Sequence, residues 1–256
     1  MPPTPETVEV DFITPRHLAG GGDPAWITVP LVRACGWSHG NDPLMPRVLL
    51  SSPDQKALLR LEPVPDGQWW TLSHAPQPGR PAWYASFGGN TPVELIAAFT
   101  DALTAPTPAD TPTDPYEPLA DADWCPVYGK KGIVSPDSNA RVEHVVSRST
   151  DHWIATTAVG DRPLWQARFG EHTPPHLITA FTTALADTLP VARTDSPHSL
   201  PTLNPDLITR RSTEVPAVRV ASALEERVRT LAARHATPAP TQRPARQPPS
   251  TNRRSR

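Results

Sequence analysis

Arg80-Pro81-Ala82-Trp83-Tyr84-Ala85-Ser86-Phe87-Gly88, then after a short loop Thr91-Pro92-Val93-Glu94-Leu95-Ile96-Ala97-Ala98-Phe99-Thr100-Asp101-Ala102-Leu103, decides the fold because the chain contains it twice. In the second copy, Arg162–Leu185, the residues Trp83, Ala85, Phe87 and Gly88 recur as Trp165, Ala167, Phe169 and Gly170. Leu95, Ile96, Phe99 and Leu103 recur as Leu177, Ile178, Phe181 and Leu185. The first half alternates with the period of a strand, which puts Trp83, Ala85 and Phe87 inward and Tyr84 and Ser86 outward. The second half places its apolar residues at helical spacing, so a helix covers the sheet. Thr91, Pro92 and Glu94 together read as a capping box for that helix. Thr173 and Pro174 keep the cap in the second copy, where His176 replaces the Glu.

Between the turns Ser52-Pro53-Asp54 and Ser135-Pro136-Asp137 and the helix ends, about twenty of roughly fifty aligned positions are identical, with one gap near Gly160. Pro at the second position and Ser at the first suit a type I turn. Strand signals in the first copy fall at Val48–Leu50, Ala57–Glu62, Trp69–His74 and Ala82–Phe87, with Asp66-Gly67 as a hairpin turn. Those of the second fall at Ala140–Ser147, Trp153–Val159 and Leu164–Phe169. A unit of roughly 80 residues buries a modest core alone, which favours two units packed together. The expected fold class is α+β: two tandem repeats, each an antiparallel sheet of about four strands closed by a C-terminal helix, packed as a pseudo-twofold pair.

Outside the repeats, Thr7–Ile13 alternates as a strand, and Ala19–Pro24 is a glycine-rich breaker. A short helix is expected to start with Thr28 as cap and to end at Gly36. The chain then divides into a first repeat with this strand and helix at 1–105, a Pro-rich linker at 106–118 and a second repeat at 119–190. An irregular linker follows at 191–215, then an amphipathic helix at 216–236 with Val220, Leu224, Val228 and Leu231 on one stripe, and a disordered Arg/Pro-rich tail at 237–256.

The 256 residues include 35 Pro and carry a net charge of −2, which gives no overall drive toward nucleic acid or membrane. Cys35 and Cys125 have no CxxC spacing, so neither a disulfide nor a metal site is expected. No signal-peptide pattern and no long uncharged apolar segment occurs, and the expected location is cytoplasmic.

Taken together, the paired Ser-Pro-Asp turns, the Ala-Gly-Gly-Gly-Asp-Pro loop at Ala19–Pro24, the Trp-Tyr-Ala-Ser-Phe-Gly strand at Trp83–Gly88 and the Thr-Pro-Val-Glu helix start at Thr91–Glu94 resemble the SPDY family. That family is a short actinobacterial domain of unknown function, DUF317, usually present in pairs, and the resemblance covers roughly Val8–Pro190. It implies architecture and no established activity. In the family the triplet is followed by Tyr or a similar residue, whereas Gln55 and Ser138 follow it here.

Candidate chemistry is sparse. Ser52, Pro53, Asp54, Ser135, Pro136 and Asp137 are surface turn residues whose types turn geometry already explains. The spacings of zinc sites, of Gly-x-Ser-x-Gly elbows and of phosphate loops do not occur, Gly20-Gly21-Gly22-Asp23 included, so no catalytic, cofactor or metal residue is assigned. His144 aligns with inward-facing Leu61 and reads as a hydrogen-bonded core histidine or an edge position or, less simply, as part of a binding pocket. The tail residues Arg243, Arg246, Arg253, Arg254 and Arg256 could contact a polyanion. The reading that follows is a non-enzymatic binding module that engages a protein partner through its paired repeats. A nucleic-acid accessory role through the tail is the first alternative, and a small-molecule enzyme using His144 or Asp54 beside a second ionisable group is the other.

Overall fold

Trp83, Ala85 and Phe87 are buried while Tyr84 is half exposed, so the alternation in the duplicated stretch does form a strand with one face inward. The computed structural model describes residues 6–40, 47–63, 67–105, 113–148, 150–194 and 200–236. The first copy contributes β2 (Ser38–Gly40), β3 (Val48–Ser51), β4 (Ala57–Leu61), β5 (Gln68–His74), β6 (Trp83–Gly88) and helix α2 (Val93–Thr104). The second contributes α3 (Glu117–Ala120), β7 (Cys125–Pro126), β8 (Gly132–Val134), β9 (Ala140–Val146), β10 (Asp151–Val159), β11 (Arg162–Phe169) and α4 (Pro175–Ala186). The protein is thus mixed α and β with antiparallel sheets.

The two copies form one sheet of ten strands in the order β2-β3-β4-β5-β6-β11-β10-β9-β8-β7. Where about four strands per copy were expected, the short outer strands β2 and β7 add a fifth to each. The copies join at the centre, where Ala85, Ser86 and Phe87 lie opposite Phe169, Arg168 and Ala167. Helices α2 and α4 cover one face, and their core crosses the junction. Phe87 stacks on Phe181 at 5.9 Å between ring centroids and meets Phe169 edge-on, also at 5.9 Å. Phe99 lies 5.6 Å from both Phe87 and Phe169. Each copy therefore buries its aromatic residues partly against the other.

The N-terminal strand β1 (Thr7–Thr14) does not join the first repeat. It is the middle strand of a separate three-stranded sheet, between β12 (Val191–Arg193) and β13 (Thr209–Pro216). Two expectations are corrected here. The N-terminal strand expected alongside the first repeat at 1–105 pairs elsewhere, and 191–215, expected as an irregular linker, contributes β12 and most of β13. The pattern of β13, Thr-Arg-Arg-Ser-Thr-Glu-Val-Pro, is almost wholly exposed and so carries no apolar alternation. Its pairing with β1 is what makes it a strand. Helix α5 (Ala217–His235) follows, buries Val228 and Leu231, and packs on α1 (Ala25–Cys35), where Glu225 pairs with Arg33 and Arg227 donates to Trp26 O.

Helix α1 begins three residues before the expected cap Thr28, because the Asp23 carboxylate accepts the Ala25 N–H at 2.8 Å. Gly36 ends it in the left-handed conformation, with φ 70°. Helix α3 starts inside the expected Pro-rich linker; positions 106–112, the turn residue Asp66 and the whole tail from Thr237 lie outside the described residues. Both cysteines are free thiols. Among the described residues no helix is long and apolar enough to cross a membrane.

Candidate functional sites

The Ser-Pro-Asp turns are built alike. Gln55 N–H donates to Ser52 O at 2.9 Å, and Ser138 N–H donates to Ser135 O at 2.8 Å. Each serine is buried and its hydroxyl is fully used. Ser52 Oγ donates to Asp54 at 2.7 Å and accepts from the Ala57 N–H at 2.9 Å; Ser135 Oγ donates to Asp137 at 2.5 Å and accepts from the Ala140 N–H at 2.9 Å. Gln55 and Ser138, which stand where the family has its fourth residue, both adopt positive φ, 59° and 61°. The Asp54 carboxyl is held below its usual range, chiefly by the Ser52 hydroxyl.

The second turn has a partner that sequence reasoning missed. His17 Nε2 lies 2.8 Å from Asp137 Oδ2, and this imidazole is almost fully buried although it is 120 positions away. Burial pushes the Asp137 carboxyl up, yet hydrogen bonds from His17, Ser135 and Asn139 outweigh it and hold the group well below the carboxylate range. Ser, Asp and His thus meet, but with Asp in the middle. A hydrolytic triad needs the imidazole between the hydroxyl and the carboxylate, so that a base can take the hydroxyl proton. Here the proton already goes to Asp137, and the arrangement joins the turn to the N-terminal segment.

The glycine loop is likewise a joint. Gly21 O accepts the N–H of Val93 at 2.8 Å, which occupies the start of α2 where a phosphate would have to sit. A Cβ on Gly21 would lie 2.4 Å from Gly89 O, so the close approach requires glycine. Glu94 does not complete a capping box; it forms a two-pronged ion pair with Arg193, at 2.7 and 2.9 Å. The same guanidinium donates to Ala19 O and Gly20 O at 3.0 and 3.1 Å. Thr91 Oγ1 is buried without a hydrogen-bond partner, which a capping role would have supplied.

His144 lies inside a cleft of about 620 Å³ whose walls include Asp114, Asp151, Trp153, Glu171 and His172. It stacks on Trp153 at 4.4 Å with the rings 7° from parallel, and Nε2 is 2.7 Å from Asp151 Oδ1. Tyr116 packs on the same indole at 4.8 Å and accepts the His144 N–H at its hydroxyl. Burial pushes the Tyr116 phenol up to about 12, so it stays protonated and donates to Lys131 O. The register repeats the first copy, with His144 opposite Trp153 as Leu61 is opposite Trp70. Asp54, by contrast, sits on an exposed turn beside Lys56.

The sheet face away from the helices carries one row of directly opposed residues that crosses both copies: Leu49, Arg60, Thr71, Ser86, Arg168, Ile154 and Glu143. Leu58 and Tyr84 on the same face are 41% and 51% exposed, and Arg60 and Arg141 pair with Glu62 and Glu143. The tail arginines Arg243, Arg246, Arg253, Arg254 and Arg256 lie outside the described residues.

No curated protein and no solved structure matches the chain. Two stretches do match a family, and they coincide with the two copies that share the phenylalanine core. Residues 51–109 and 134–191 each match the model of SPDY, a domain of unknown function (DUF317), consistent with two tandem copies of that domain.

Proposed function

We propose that this protein is a non-enzymatic binding module that presents the helix-free face of its ten-stranded sheet to a protein partner. The observation that carries the reading is the cross-strand row from Leu49 to Glu143, which makes one surface out of two copies. Exposed apolar groups among locally paired charges have the chemistry of a protein contact, because the apolar area gains from burial while the charges set orientation. A phosphate backbone would instead favour cations without partners, whereas Arg60 and Arg141 face carboxylates and Arg168 donates to Gln166. The strand order, which reads the same from either edge once the copies are exchanged, supports a pseudo-twofold pairing of the two units.

The test compares the wild-type chain with Leu58→Glu/Arg168→Glu in cross-linking capture from native lysate, with and without nuclease. Both residues are exposed, so the thermal midpoint should be unchanged. Loss of a captured protein in the double variant supports the reading, and equal capture overturns it. Capture that survives both substitutions and disappears with nuclease would move the function to Arg243–Arg256.

A further inference from the structure

The two copies differ most in chemistry at one equivalent place. In the first copy Leu61 and Trp70 face each other in the core, 6% and 2% exposed. In the second, His144 takes the place of the leucine, and Trp153 is only partly buried and lines the cleft. A core position has become a cavity wall. Its size suits a small organic molecule or one long side chain, since such sites run from about 300 to 1,000 Å³.

The wall has a definite polarity. Asp114, Asp151 and Glu171 contribute three carboxylates against the two imidazoles of His144 and His172, and no Lys or Arg is among the described lining residues. Asp151 is held in place by Nε2 of His144, 2.7 Å from its Oδ1. Thr173, the hydroxyl nearest the start of α4, spends its proton on Tyr84 O at 3.0 Å. The cleft therefore offers carboxylates in excess of imidazoles beside the stacked rings of His144 and Trp153. A ligand that fits must bring several N–H donors, a positive charge and a flat or aliphatic body.

We propose that this cleft binds an organic cation of the guanidinium or primary-amine class, either as a free small molecule or as an arginine or lysine side chain of a peptide. The site lies at the end of the second copy and is independent of the sheet-face reading.

The experiment is calorimetric titration of the full chain at fixed salt, with agmatine in one arm and a short arginine-containing peptide in the other. Saturable binding in either arm supports the proposal, and binding of the peptide alone assigns the cation to a polypeptide. Asp151→Asn/Glu171→Gln removes two charges at constant shape and should weaken binding about tenfold or more. His144→Leu, which gives the second copy the first copy's residue, should weaken it as well while the thermal midpoint is retained. Absence of saturable binding by wild type in both arms overturns the proposal. So does equal affinity in the charge-removed double variant.

Discussion

Asp137 sits between an imidazole and a hydroxyl, and this fixes how the molecule meets acid. Its carboxyl is depressed below the unfolded value of 3.8, so its stabilisation is complete above the ordinary carboxylate range and is lost as pH falls through that range. The difference in urea midpoint between the wild type and Asp137→Asn should be constant between about pH 7 and 5 and should shrink below about pH 4. Asp137→Asn should cost about 1 kcal/mol at neutral pH, since the carboxylate is a third exposed, and should make the acid limb shallower. Acid limbs of equal slope would refute the assignment. At the neighbouring position, Ser138→Gly should add up to about 1 kcal/mol in the same measurement, because only glycine adopts a φ of 61° freely. The turn itself was legible from Ser-Pro-Asp, because the hydrogen bonds of Ser135 close within five residues. The part played by His17 was not, because nothing local marks a histidine whose partner is 120 positions away.

Among the elements, α2 and α4 were readable from Leu95, Ile96, Phe99 and their counterparts, since burial of one helical stripe is a periodic and local signal. Glu94 was misread for the opposite reason. A Glu three positions after Thr fits a local cap, but the charge is better used by Arg193, 99 residues on, which also holds the glycine loop. Strand β13 was invisible because its residues are exposed and its order comes from the backbone of β1. The clasp gives a prediction at this scale. Arg193→Ala leaves Glu94 and two loop carbonyls without their donor and should lower stability by about 3–5 kcal/mol. Arg193→Lys should recover little of it, since an ammonium cannot reproduce a two-pronged contact. Denaturant midpoints of the two variants measure both effects.

At the level of the whole molecule, Phe87 of the first copy touches Phe169 and Phe181 of the second, so neither copy owns a complete core. Heating should give one cooperative transition seen alike by aromatic and backbone signals. Phe87→Ala should cost about 3–5 kcal/mol and should speed hydrogen exchange in β10 as much as in β5, although the substitution lies in only one copy. Protection that changes in one copy alone would show two independent units. A chain ending at Pro190 should lose stability sharply, because it removes both partners of β1.

The middle position of β1 also sets a clock for the newborn chain. Strand β1 pairs with β13, made much later, and Asp11 meets Ser212 across 201 positions of sequence. At synthesis rates of about 5–20 residues per second, β1 waits roughly 10–40 s with both edges unpaired. Throughout that interval an eight-residue strand is open to any other extended chain. Crowded polysomes, where identical nascent strands lie side by side, are therefore where this fold is most exposed to pairing with the wrong copy.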